Sequence, residues 1–264
     1  MRLQGKVAVV VGGGQSPGAT VGTGRAISIV FARQGAQVVV ANRSLPSAQE
    51  TAQLANQAAG CTRAWAMRAD ATREQDMAAV VAEVVALNGR VDVLCYNVGV
   101  DLSAGDAGPL EIDAPVFDRV MAANLRGAVM ACKHVLPGMR ERSAGSIITI
   151  FSLAALGKYF GVGYKASKAA LIAYTKQLAA QNAIFGVRAN AILPGTLATP
   201  MAVEARVRAW GWTRDEVMAE RDARVPTRRQ GTGWDVGYAA CFLASDEAGF
   251  ITGAEIPVDG GYCA

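Results

Sequence analysis

Short apolar runs punctuate the chain at regular intervals. VAVVV at 7–11, QVVVA at 37–41, VDVLCY at 91–96 and SIITIF at 146–151 are nearly continuous in hydrophobic residues. That suits strands buried on both faces, since a strand with one wet side would alternate. Segments at 62–68, 188–193 and 255–259 complete a predicted set of seven strands, the first spanning 6–11 and the fifth extending to Ser152. Between them lie longer stretches with helical spacing of apolar positions, at 24–34, 46–59, 73–88, 114–139, 163–184 and 234–244. Parallel neighbours need a crossover, so strand and helix in strict alternation predict an α/β fold: a doubly wound parallel sheet of about seven strands with helices on both faces. No linker, repeat or low-complexity tract divides the chain, and a single domain over 1–264 is expected. The stretch from Thr196 to Gln230 breaks the alternation and holds two of the four tryptophans, Trp210 and Trp212. It reads as an insertion, at about 196–230, lying over the sheet.

Composition narrows the function classes. Of 264 residues, 52% are hydrophobic and 18% charged, which is ample for a packed core and unlike a disordered chain. The apolar runs fall well short of the ~20 residues that span a bilayer, and the N-terminus lacks the features of a secretory signal. A cytoplasmic protein with no membrane association is expected. The net charge of +4 is spread along the chain without a polybasic run, so nucleic acid is not an expected partner. Five cysteines, odd in number and without CxxC spacing, predict free thiols. The single histidine, His134, leaves no basis for a multi-histidine metal site, and no metal is expected.

The first strand runs directly into GGGQSPGATVGTGRA. A glycine-rich turn leading into a helix lets backbone N–H groups and the helix N-terminus approach a pyrophosphate, as in Rossmann-type dinucleotide folds. Gly18, Gly22 and Gly24 satisfy a GxxxGxG spacing, yet the strand ends at Gly12. Either Gly12 is the turn glycine of a loop six residues longer than that spacing implies, or Gly18 takes the place after an extended lead-in; the first is favoured. Such folds read the adenosine ribose about 20 residues past the glycines, where an acidic residue would repel a 2′-phosphate. The sequence there is Asn42-Arg43-Ser44. A neutral amide beside a guanidinium favours NADP(H), with NAD(H) as the alternative.

Tyr164 and Lys168 fall at i and i+4 in a helical stretch and share one face. A nearby ammonium favours a phenolate, which would bring a group that titrates near ~10 within reach of proton transfer. Twelve residues before Tyr164, Ser152 closes a buried strand at the carboxyl edge, where open α/β sheets bind ligands. These residues belong to a longer ordered series: the glycine loop, Asp70, Asn97-Val98-Gly99, Asn124, Ser152, Tyr164, Lys168, Pro194-Gly195 with Thr199, and a closing VDGG at 258–261. In that series the chain resembles the short-chain dehydrogenase/reductase family over almost its whole length.

The resemblance implies a hydride-transferring oxidoreductase acting on a ketone or secondary alcohol. Tyr164 would be the general acid or base, and Lys168 would lower its pKa and bond the nicotinamide ribose. Ser152 would orient the substrate oxygen, and Asn124 would hold a water in a proton relay. Asp70 would bind the adenine amine, and Asn97 and Gly99 would line the ribose region. Thr199, with the backbone of Pro194 and Gly195, would fix the nicotinamide amide. A homotetramer is likewise implied. Three departures stand out: the long glycine loop, Tyr96 and Val98 in place of Asn and Ala, and a serine-to-tyrosine interval of twelve where thirteen is commoner. The first departure bears on the phosphate contacts. The second puts bulk near the adenosine ribose and the sheet interior.

For the substrate, the resemblance makes 196–230 a lid. Trp210, Trp212, Met201, Tyr159, Phe160 and Leu153 are candidates for an apolar pocket. The same segment carries seven arginines and five acidic residues, which read better as solvated helical pairs than as an anion site. A non-catalytic dinucleotide sensor of the same fold is the competing hypothesis, and the presence of both Tyr164 and Lys168 speaks against it.

Overall fold

The computed structural model describes residues 1–264 except 154, 155 and 158. Seven strands, β1 (Val7–Val11), β2 (Gln37–Asn42), β3 (Ala64–Arg68), β4 (Val93–Tyr96), β5 (Gly145–Ile150), β6 (Val187–Pro194) and β7 (Glu255–Val258), form one sheet. Their order is β3-β2-β1-β4-β5-β6-β7 and every pairing is parallel. The chain leaves β1 in one direction to β2 and returns to its other side with β4. A crevice therefore opens beyond the carboxyl ends of β1 and β4, the place where such sheets bind ligands.

Nine α-helices connect the strands among the described residues: α1 (Thr23–Arg33), α2 (Leu45–Ala59), α3 (Glu74–Asn88), α4 (Ala114–Met121), α5 (Gly127–Glu141), α6 (Val162–Asn182), α7 (Pro200–Trp210), α8 (Arg214–Ala223) and α9 (Gly233–Ala244). Alternate residues of β1 serve the two faces. Ala8 and Val10 join a core with Ile27, Val30 and Ala240, under α1, α2 and α9. Val7, Val9 and Val11 join Met77, Val84, Val135 and Leu171, under α3, α5 and α6. Double coverage explains why VAVVV carries no polar alternate, and each such side chain contributes roughly 1.5–3 kcal/mol of burial.

The expected insertion at 196–230 forms α7 and α8. Its two ends are pinned together: Leu197 bridges Gly231, and the Ala198 N–H donates to the Gly231 carbonyl at 2.8 Å. The pair of helices therefore rises from one point beside the cleft.

The expected continuous helix over 114–139 is interrupted by a π-turn, Ala122–Arg126, between α4 and α5. Long-range contacts explain it. The Tyr96 hydroxyl donates to the Ala123 carbonyl at 2.5 Å, and the side chain of Asn124 is drawn to the backbone of Val100. Gly127 makes room, since a Cβ there would strike the Tyr96 hydroxyl. Such one-turn widenings gather at functional sites. Of the two bulky departures, Tyr96 takes the sheet interior, fully buried beneath the π-turn, whereas Val98 lies on the cleft wall. Tyr96→Phe leaves the Ala123 carbonyl without that partner, and denaturant unfolding should read a loss of about 1–3 kcal/mol.

Candidate active site

One cleft of about 1040 Å³ runs along the carboxyl ends of the strands. Gly12, Gly18, Gly22, Gly24, Asn42, Arg43, Asp70, Asn97, Gly99, Ser152, Tyr164, Lys168, Pro194, Gly195 and Thr199 all line it. Asn124 does not. It lies fully buried behind the wall, beneath Ala123.

Gly12 follows β1 directly with φ +79°, a backbone state that favours glycine. Its carbonyl accepts from the Asn97 side chain at 2.9 Å and is touched by Gly24, where any Cβ would collide with it. The residues after it fold back as a closed loop: Gln15 Oε1 accepts the Gly22 N–H at 2.7 Å, and the Gln15 N–H donates to Ser47 Oγ at 2.7 Å. Gly18, at the far side of this loop, rests on α7, where a Cβ would come 2.8 Å from Pro200 and 2.9 Å from Glu204. The added residues thus connect the glycine turn to α7. Gly22 caps α1 without a side chain, so the first-turn N–H groups of that helix face the cleft. A glycine turn that a Cβ would fill, an open helix N-terminus and a cleft of this size suit a dinucleotide pyrophosphate.

At the end of the cleft beyond β2, Asn42 donates to the Ser44 carbonyl at 3.2 Å and lies close against Gly14 of the loop. Arg43 is exposed and forms no ion pair among the described residues. Burial raises the Asp70 carboxyl, but hydrogen bonds from Thr72 and the charges of Arg43 and Arg73 outweigh it and hold the group below its usual range. Gly195 is pressed to Asp259 so closely that a Cβ would approach its Cα to 2.7 Å.

At the other end, Lys168 is 2% exposed and its ammonium donates to the carbonyls of Val98 at 3.1 Å and Ile150 at 2.8 Å. Burial pulls the amine down to about 7 against the raising effect of Asp101. Tyr164 is hydrogen-bonded to Ser152. Its phenol is pushed up to about 12 by burial, with Asp101 adding to the rise and the Ser152 bond and Arg206 opposing it. The expected depression by Lys168 is therefore corrected. The amine lies 5.9 Å from the Tyr164 ring centroid and is spent on two carbonyls, and the protein cation that acts on the phenol is Arg206. The Asn124 side chain is held on both sides: Oδ1 accepts the Val100 N–H at 2.8 Å, and Nδ2 donates to the Val100 carbonyl and Ser167 Oγ at 3.0 Å each. It braces the loop after β4 against α6, with both amide hydrogens donated.

Four groups escaped the sequence reading. Gly161, the N-cap of α6, has no side chain to cap with, and Asp106 from the β4–α4 loop does so instead. One oxygen accepts the Gly163 N–H at 2.9 Å and the other the Tyr164 N–H at 2.7 Å. Asp101 accepts the Tyr159 hydroxyl at 3.0 Å, and the Tyr159 ring lies 5.2 Å from that of Tyr164. Gln15 and Tyr262 complete the cleft lining. Only the DxxxxD spacing of 101 and 106 was visible in the sequence, and nothing local says that either reaches across 57 or more residues.

Of the candidate apolar pocket, Leu153, Tyr159 and Met201 line the cleft. Trp210, Trp212 and Phe160 do not; they are 39%, 44% and 45% exposed, the tryptophans packed edge-on against each other at 5.1 Å. The twelve-residue interval between Ser152 and Tyr164 includes the three residues outside the described set.

A family model described as Enoyl-(Acyl carrier protein) reductase, of the short-chain dehydrogenase/reductase family, matches residues 18–263. The chain is 36% identical to 2-(R)-hydroxypropyl-CoM dehydrogenase of Xanthobacter autotrophicus over 94% of this chain and 96% of the relative. It is 37% identical to L-fucose dehydrogenase of Oryctolagus cuniculus, over 98% and 86% respectively. Levodione reductase superposes with a TM-score of 0.91 at 27% identity, covering 98% of each chain. The chain belongs to the short-chain dehydrogenase/reductase family. It is an oxidoreductase of alcohol and carbonyl groups that uses a nicotinamide dinucleotide, NAD or NADP.

Asp106→Ala should lower the unfolding free energy by about 1–3 kcal/mol, because two N–H groups of α6 lose a charged acceptor. Amide hydrogen exchange at Gly163 and Tyr164 should accelerate with it; unchanged exchange at both would discount the cap.

Proposed function

We propose that this oxidoreductase interconverts a ketone and a secondary alcohol with NADP(H) preferred over NAD(H), Tyr164 exchanging the proton. The observation that carries this reading is the side-chain group at one end of the cleft: Tyr164 bonded to Ser152, one helical turn from a buried Lys168. The dinucleotide, when bound, supplies or accepts the hydride at its nicotinamide ring.

The chain's own groups do the rest. Ser152 Oγ and the Tyr164 hydroxyl, already sharing a hydrogen bond, hold the substrate oxygen between them. In reduction Tyr164 gives its proton to that oxygen, and in oxidation the phenolate takes it back. Lys168, fixed on the carbonyls of Val98 and Ile150, presents its remaining N–H toward the ribose side, near Gly99. Asn124 positions this end by bracing Val100 against α6. Gly12, Gly22, Gly24 and the N-terminus of α1 hold the pyrophosphate, with Gly18 tying that loop to the lid. Asp70 takes the adenine amine, Asn97 and Gly99 the ribose, and Pro194, Gly195 and Thr199 the nicotinamide amide. Asn42 and the unpaired guanidinium of Arg43 favour a 2′-phosphate over a bare ribose hydroxyl. A homotetramer in the cytoplasm completes the proposal. The named dehydrogenases among the relatives weigh against a sensor that has abandoned catalysis.

Tyr164→Phe should cut turnover by about 10²–10⁴-fold while NADPH binding, read by fluorescence titration, stays near its original strength. Because the phenol sits at about 12, the base form grows as pH rises, so wild-type alcohol oxidation should climb from pH 7 to 10 with no matching fall in ketone reduction. Equal turnover in the variant, or an oxidation rate flat in pH, removes Tyr164 from the proton-transfer role.

Asn42→Asp should shift the ratio of kcat/KM for NADP(H) over NAD(H) by about 10-fold or more toward NAD(H), equivalent to about 1.4 kcal/mol of repulsion. A parent enzyme that already prefers NAD(H) strongly would contradict the reading of Asn42 and Arg43.

A further inference from the structure

The seven arginines of residues 196–230 invite an anion site, and their partners decide the question. Three line the cleft: Arg206, Arg221 and Arg224. Arg221 spends its guanidinium on Gln230 Oε1 at 2.7 Å and the Leu197 carbonyl at 2.9 Å, and Arg224 is paired with Glu220. Arg206 is different. It donates once, to the Ala202 carbonyl of its own helix at 2.7 Å, lies 5.7 Å over the Trp210 ring, and has no carboxylate within ion-pair distance among the described residues.

Asp101 lines the same cleft, and the turn at 102–104 that follows it packs against α7, the helix that carries Arg206; the Arg206 charge opposes the rise that burial imposes on the carboxyl of Asp101. It is 6% exposed. Its Oδ2 is met by the Tyr159 hydroxyl at 3.0 Å, and the Ser103 N–H stands near the carboxylate, but Oδ1 is buried with no partner in good hydrogen-bond geometry among the described residues. An orphaned buried acceptor costs about 1–3 kcal/mol, more when charged, and native proteins rarely carry one that nothing meets. The orphan stands one aromatic ring from the reaction, since Tyr159 lies 5.2 Å from Tyr164 centroid to centroid.

What could meet both groups follows from their signs. A carboxylate or phosphate drawn by Arg206 is repelled by Asp101, and an ammonium faces the reverse. A hydroxyl donates to the orphan oxygen and accepts from the guanidinium, with no charge to desolvate. We propose that Asp101, Tyr159 and Arg206 form a polar subsite beside Tyr164 that takes a second hydroxyl of the substrate, so that the substrate class is a neutral diol or hydroxy ketone. The subsite rests on the oxidoreductase reading, because its distance from Tyr164 sets which hydroxyl reacts and which is held.

The test compares trans-cyclohexane-1,2-diol with cyclohexanol, which shares its ring, as substrates for the full chain with NADP⁺ and with NAD⁺. Wild type should favour the diol by at least about 10-fold in kcat/KM, the discrimination that hydrogen-bonding sites make against an analogue lacking the group. In Asp101→Ala and, independently, Arg206→Gln on the lid, that preference should fall below about threefold. Three outcomes overturn the subsite: wild type using cyclohexanol as well as the diol, variants losing both activities in equal proportion, or 2-hydroxycyclohexanecarboxylate or 2-aminocyclohexanol outperforming the diol. Silence with every compound and both cofactors would instead overturn the oxidoreductase reading. Calorimetric titration of the cofactor-loaded chain with the diol then decides the subsite: binding weakened in Asp101→Ala supports it, and equal or absent binding in wild type and variant sinks it.

Discussion

The active end of the cleft depends on one buried contact, the Lys168 ammonium on the carbonyls of Val98 and Ile150. Parallel strands β4 and β5 run side by side in register, Val93 opposite Ser146. Their chains therefore leave the sheet at the same edge, and the carbonyls of Val98, just beyond β4, and of Ile150, the last residue of β5, fall within reach of one amine. That amine fixes the rotation of α6 about its axis. Tyr164, one turn earlier on the same face, then has no choice but to present its hydroxyl to the cleft beside Ser152. A buried cation is costly unless it is hydrogen-bonded, and here the backbone of two strands supplies the bonds. The same burial weakens the cation, which sits near 7.

The electrostatics of Tyr164 follow from that compromise. The Lys168 amine is lowered by burial and engaged with two carbonyls, and burial of the phenol prevails at Tyr164. What remains is a balance between Asp101, which raises it, and Arg206, which lowers it. One of these two comes from the loop after β4 and the other from the lid helix α7. The position of α7 therefore bears on the acidity of Tyr164. The long glycine loop joins the same assembly, because Gly18 rests on α7 while Gln15 holds the N-cap of α1.

Much of this was legible in the chain of residues. Continuous valine runs announced strands buried on both faces, the alternation with helices announced parallel pairing, and Tyr164 with Lys168 at i and i+4 needed only a helix to share a face. These signals are local: each depends on residues within one element, and periodicity reports them directly. The π-turn under Asn124 was hidden because it is imposed by Tyr96, 27 residues away, and by room left at Gly127. Trp210 and Trp212 misled for a related reason. Large aromatics in a lid are good candidates for a pocket lining, but helix phase and the turn at Gly211 send them outward, against each other.

By itself, the sequence determined the alternation of strands and helices and the residues at the sheet's carboxyl edge, which follow from spacing along the backbone, and its motif series carried the resemblance to the family. Only the tertiary structure decided how those groups are charged and held. Asp106 caps a helix it is 57 residues away from, Asp101 keeps one oxygen unmet beside Arg206, and Lys168 spends its ammonium on strand-end carbonyls. Burial and long-range hydrogen bonds set those properties, and neither is a function of position in the chain until the fold brings distant segments together.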